Sequence, residues 1–152
     1  TTKHRLQGYL DALEKNKIPL RKDYIQHVKG FSHKDGIKPT KKLLELEDAP
    51  DAIFAINDNI AASAMHVAKK KGLAIPGDIS IVGFDDEPHS LYFSPALSTV
   101  WQPVYSLGML SARILLQRIK NKNSKEEFRM EVFKPELVVR ASSREDSVGI
   151  SD

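Results

Sequence analysis

Cysteine is absent from the 152 residues, so disulfides and thiol chemistry are excluded and redox usage says nothing about compartment. No apolar run approaches the ~20 residues that a membrane-spanning helix needs, and no signal-peptide pattern is visible. The five His residues show no metal-ligand spacing. Asp85-Asp86-Glu87 with His89 is a weak metal signal, because loop acids beside a single His do not make a ligand set. A nucleophile elbow, a phosphate-cradling glycine loop and a zinc motif are all missing. Catalysis therefore has no support, and neither a cofactor nor a metal is expected. A basic stripe is lacking too. The net charge of +3 comes from scattered clusters, at Lys41-Lys42, Lys69-Lys70-Lys71 and Lys120 to Lys125. Lysines near helix carboxyl termini suit the helix dipole, so solvated helix ends account for them without nucleic acid.

What is present is ordinary for a globular chain of one domain's length: 41% hydrophobic and 28% charged residues. The chain opens on Thr1-Thr2 without Met, which leads us to expect a piece of a longer protein.

The stretch from Asp51 to Gln102 organises the rest. Ala52 to Ile56 is an apolar run of strand length, followed by Asn57-Asp58. An amphipathic helix from about Asn59 to Lys71 comes next, with Asp58 as its expected cap and Gly72 as its stop. Ile75-Pro76-Gly77-Asp78 turns into a second buried strand, Ile79 to Phe84, which ends in Asp85-Asp86-Glu87. Strand, helix and strand with apolar strands make a right-handed parallel βαβ unit. Ligands of such sheets bind beyond the carboxyl ends of the strands, so Asn57, Asp58, Asp85 and Asp86 are expected to share one functional rim.

Before this unit, Thr2 to Lys17 reads as a helix with Leu6, Tyr9, Leu10 and Leu13 on one broad face. Gly8 within it suggests close approach of another backbone. Tyr24 to Val28 is a strand candidate. Ser32 to Glu47 contains a helix that either starts near Lys38 or runs from Ser32 with a kink at Pro39. After the unit come a strand, Ser98 to Trp101, and a helix opened by Pro103 and running to about Lys120. Its Leu107, Met109, Leu110, Ala112, Ile114, Leu115, Leu116 and Ile119 spread over most of the circumference, which demands neighbours that the remaining chain cannot supply. Asn121 to Glu127 reads as a polar loop, Glu131 to Ala141 as a last, partly alternating strand interrupted by Pro135, and Ser142 to Asp152 as a frayed tail. The alternation gives an α/β fold, a mainly parallel sheet layered between helices.

IPGDISIVGFDD, then YFSPALSTVWQP and a helix beginning SLG, closely resemble the carboxyl-terminal regulatory region of the lactose-repressor (LacI/GalR) family. RLQGYLDAL, IFAINDNIAASAM and ELVVRASS match the same family in the same order, so the resemblance covers nearly all of Thr1 to Ser143. It implies one lobe of a two-lobed, periplasmic-binding-protein-like domain. Residues 1–143 would form the second lobe, with helix 103–120 crossing to a first lobe outside this chain and 144–152 a flexible tail. A DNA-binding headpiece would also lie outside it. The crossover helix is then expected to find a substitute partner, on its own sheet, on a neighbouring molecule in a crystal or in a swapped dimer.

By the same resemblance, Asp85, Asn57, Arg5 and Phe31 would contact a small-molecule effector, with a sugar preferred, and Asp58, Asp86 and Ser32 would stand nearby. A carboxylate accepts sugar hydroxyls, an amide both donates and accepts, and a guanidinium clamps anions or paired hydroxyls. Each has an ordinary alternative: Asp85 as a loop brace, Arg5 as an exposed helix residue, Phe31 as core packing. Ala61, Ala62, Met65, His66, Tyr92 and Phe93 match family positions near a homodimer interface. The implied function is effector-controlled operator binding by a cytoplasmic transcriptional regulator. A periplasmic sugar receptor of a transport system shares the Asn57 and Asp85 logic; a Mg²⁺ enzyme using Asp85-Asp86 is remote.

Overall fold

The computed structural model describes residues 2–121 and 130–144. Helix α1 covers Thr2–Lys15, α2 His33–Leu43, α3 Asp58–Lys70 and α4 Val104–Lys120. The strands are β1 (Ala52–Phe54), β2 (Ser80–Val82), β3 (Thr99–Trp101) and β4 (Glu136–Val138). β1 and β2 pair in parallel, with Ile53 opposite Ile81, as the βαβ reading requires. β3 and β4 pair antiparallel, with Val100 opposite Leu137. Parallel bridges Val82–Ser98 and Asp85–Trp101 join the two pairs. The order across the sheet is thus β1, β2, β3, β4, parallel except at the last strand. Beyond β4 the chain still clasps the sheet, because the Ile81 amide donates to the Ser142 carbonyl at 2.8 Å.

Period-two alternation sends Ile53 and Ala55, and Ile79 and Ile81, to one face. There they meet Ile60, Ala61, Ala64, Met65 and Ala68, which recur at helical spacing along α3, and Leu97 closes the cluster. α2 packs on α3 from outside. Gly36 permits this: a Cβ built there would lie 2.8 Å from the Ser63 Cβ. The other face of the sheet is thinly covered. Phe54 and Phe84 meet edge-on across it, with ring centres 6.5 Å apart, and Arg5 of α1 reaches over Phe84.

Several expectations need correction. Tyr24 to Val28 forms no strand; Lys22–Tyr24 is a 3-10 turn, and among the described residues no strand pairs with the segment that follows. Here local propensity lost to missing partners. The second helix does start from Ser32, and Pro39 sits inside it, where it removes one amide donor. A Cβ built on Gly8 would meet nothing within 4 Å among the described residues, so the expected close approach of another backbone is not found on that side. Asp58 is not the α3 cap: Asn57 is, through its Oδ1, which accepts from the Ile60 amide at 2.9 Å. The last strand is shorter than Glu131 to Ala141, as Pro135 cannot donate to a ladder. Ser142 is fully buried rather than frayed. Among the described residues none of helix α4 is buried, and only Leu110 and Ile114 are half-buried. The rest of the expected loop, 122–127, and the tail beyond residue 144 lie outside the described residues.

Candidate functional site

The carboxyl ends of β1 and β2 gather three side chains from distant parts of the chain. Asp85 leaves β2 with its amide donating to the Val100 carbonyl at 2.9 Å, which locks it beside β3. Its φ is +107° and that of Asp86 is +52°, so both adopt left-handed backbone that few residues other than glycine accept cheaply. This turn is what aims the Asp85 carboxylate. Its Oδ1 accepts from Gln102 Nε2 at 2.7 Å and faces Arg5 Nη2 at 3.4 Å. Arg5 itself is held from two sides: its guanidinium stacks 3.7 Å above the Phe84 ring and donates to the Ile56 carbonyl. A planar cation over an aromatic face is attracted by the ring quadrupole.

Burial raises the Asp85 carboxyl above the ordinary carboxylate pKa. The Arg5 charge opposes this, the Asp58 and Glu87 carboxylates reinforce it, and the Gln102 hydrogen bond opposes it. Asp85 is therefore a carboxylate held in an environment that resists its charge, which favours any ligand bringing hydrogen-bond donors.

Phe31 stands at the same end of the sheet, 60% exposed. Its carbonyl accepts from Asn57 Nδ2 at 3.0 Å. Consecutive residues at the end of β1 thus hold two groups from elsewhere: the Ile56 carbonyl holds the Arg5 guanidinium, and the Asn57 amide holds the Phe31 backbone carbonyl.

The other expected residues have different work. Asn57 is buried, and both halves of its amide are committed, one to Ile60 and one to Phe31. Asp58 is fully buried and accepts from the Glu87 amide, Ser90 Oγ and Thr99 Oγ1. Asp86 pairs with Arg140 at 2.8 Å. Ser32 begins α2, where the Asp35 carboxylate reaches back to accept from its amide and its hydroxyl. The hydrogen bonds from Ser32 hold the Asp35 carboxyl below the usual range.

The expected interface divides. Ala61 and Met65 are buried in this chain's own core, because the helical period turns them toward Ile79 and Ile81. Phe93 is half-buried against that core and meets His89 edge-on. Ala62, His66, Tyr92 and part of Phe93 retain surface, Tyr92 most of all at 85%.

Gln102, Arg140 and Ser142 went unnoticed in sequence. Gln102 stood within STVWQP, where nothing local marks it as a partner of a residue 17 positions earlier. Ser142 Oγ accepts from the Ser98 amide and donates to the Ile81 carbonyl, joining β2 and β3 through one hydroxyl. Among the described residues no group of three or more His, Cys, Asp or Glu could hold a metal. No helix there is long and apolar enough to cross a membrane.

The family model of the periplasmic binding protein-like domain matches residues 1–143. The ribose operon repressor of Haemophilus influenzae is 42% identical over 139 residues, covering 91% of this chain and 41% of the relative. A putative LacI transcriptional regulator from Bacillus cereus subsp. cytotoxis superposes with a TM-score of 0.88 at 34% identity, over 94% of this chain and 50% of that one. A LacI-family regulator from Enterococcus faecium, solved with bound ribose, superposes with a TM-score of 0.78 at 31% identity, over 91% and 50% of the two chains. The chain spans about two fifths of the length of the curated relatives it matches. It belongs to the family of periplasmic binding protein-like domains, and over part of their length it is similar to LacI-family regulators.

Proposed function

We propose that this chain is the effector-binding part of a LacI/GalR-type DNA-binding transcriptional regulator, with a sugar as its effector. The observation that carries the reading is the Asp85 carboxylate, presented by left-handed backbone beyond β2 and flanked by the stacked Arg5 guanidinium. A sugar offers hydroxyls that donate to the carboxylate and accept from the guanidinium. Its apolar ring face suits the exposed ring of Phe31. The ribose held by the Enterococcus faecium relative and the ribose operon named for the Haemophilus influenzae relative favour a pentose.

The mechanism is linkage. A ligand that binds one arrangement of two lobes better than another shifts a homodimer between states of different operator affinity. Operator DNA is read by a headpiece outside this chain, and the regulator works in the cytoplasm. No catalytic step and no cofactor enters.

The test uses the full-length gene product. Ribose and other sugars are titrated by calorimetry, and binding to its own promoter DNA is measured with and without each sugar. Expected is sugar binding that changes DNA affinity and is lost in Asp85→Ala. Sugar binding with no DNA binding would replace the regulator by a transport receptor.

A further inference from the structure

We propose that Asp58 is the positioning residue of this site: it never touches the effector, and holds the turn that presents the Asp85 carboxylate. The inference rests on reading Asp85 as the effector contact. Asp58 is wholly buried in the first turn of α3, directly beneath that turn. Its Oδ2 accepts from the Glu87 amide at 2.8 Å and Ser90 Oγ at 2.7 Å, and its Oδ1 from Thr99 Oγ1 at 2.6 Å. Its own amide donates to the Phe84 carbonyl at 2.9 Å. One residue thus grips the chain on both sides of Asp85-Asp86, at Phe84 and at Glu87, and ties it to β3.

The seat is built for a carboxylate. A Cβ added to Gly83 would run into Asp58 Oδ1, so only glycine leaves the space. Every bond to Asp58 Oδ1 and Oδ2 comes from a neutral donor, and the α3 amino terminus adds a favourable dipole. The turn needs such a grip. Two consecutive non-glycine residues with positive φ persist only where their surroundings over-determine them. Asp58, Glu87, Arg5 and Gln102 are the groups that act on the Asp85 carboxyl, so Asp58 also acts on it through its charge.

The test is Asp58→Asn in the full-length protein, with Thr99→Val as the milder variant should the first not fold. Asparagine turns one acceptor into a donor that faces another donor. Three quantities are read: ribose affinity, exchange of the Glu87 amide, and titration of the Asp85 carboxyl by carbon NMR without ligand. Expected are about tenfold or greater weakening of ribose binding, similarly faster Glu87 exchange and a lower Asp85 titration point. Thr99→Val, which keeps the Asp58 charge, weakens ribose binding and speeds Glu87 exchange by less and leaves the Asp85 titration point unmoved. A variant with a lowered melting temperature but unchanged Glu87 exchange and Asp85 titration overturns the proposal and leaves Asp58 a packing residue. Wild-type protein that ignores ribose defeats the sugar reading alone, because the two ligand-free measurements still decide for or against Asp58.

Discussion

Asn57 and Phe31 are joined by a single hydrogen bond, Asn57 Nδ2 to the Phe31 carbonyl at 3.0 Å, while the Asn57 Oδ1 caps α3. One buried amide therefore sets both a helix start and the stance of the exposed aromatic. Asn57→Asp keeps the cap and loses the tether; Asn57→Ala loses both. Urea unfolding is expected to show Asn57→Ala less stable by about 1–3 kcal/mol, with Asn57→Asp nearer wild type. Equal midpoints for Asn57→Ala and wild type would remove the cap assignment.

Asp85 gives a pH prediction with a definite sign. Its folded pKa is raised above the ordinary 3.8, chiefly by burial, so the folded state holds this proton more tightly than the unfolded one. The associated stability is fully present below 3.8 and is lost as pH rises through the folded pKa. Asp85→Asn removes that loss and tolerates the positive φ. It is expected to be more stable than wild type at neutral pH, with the gap closing as pH falls toward 3.8, while sugar binding weakens. Parallel stability curves for the two proteins across that range would contradict the assignment.

Gly36 and Gly8 should respond oppositely to alanine. At Gly36 the new Cβ meets the Ser63 Cβ at 2.8 Å, so overpacking costs about 1–3 kcal/mol. At Gly8, inside α1, nothing lies within 4 Å, and alanine should stabilise by about 0.5–1 kcal/mol. Thermal melts of the two variants check both signs at once.

Helix α4 exposes Leu107, Met109, Leu115, Leu116 and Ile119, a patch of the kind that drives association. The 152-residue chain is expected to run as more than a monomer in native mass spectrometry. Leu115→Glu with Leu116→Glu should return it to monomer with little loss of secondary structure. A wild-type chain that stays monomeric at high concentration would show that this face needs no cover.

Ser142→Ala leaves the Ser98 amide without its acceptor and the Ile81 carbonyl without a donor. A loss of about 1–3 kcal/mol in urea unfolding is expected, far above what a tail residue would give.

Short-range pattern determined most of the elements, though not the Tyr24 to Val28 segment, where no strand forms. Alternation at Ile53, Ala55, Ile79 and Ile81, and the helical recurrence of Ala61, Ala64, Met65 and Ala68, follow from burying one face of a strand or helix, so they are written locally. The placement of Asp85 at a strand end was legible for the same reason, and the ordered motifs named the family. Tertiary structure decided which group each polar atom meets. Arg5 and Asp85 are 80 positions apart, Ile81 and Ser142 are 61, and no spacing rule reaches that far. The exchange of roles between Asn57 and Asp58 shows the cause most clearly. Both acidic or amide neighbours satisfy the local cap preference, but only Asp58 lies beneath Gly83, where Ser90, Thr99 and the Glu87 amide converge, and those donors claimed the carboxylate and left the cap to the amide.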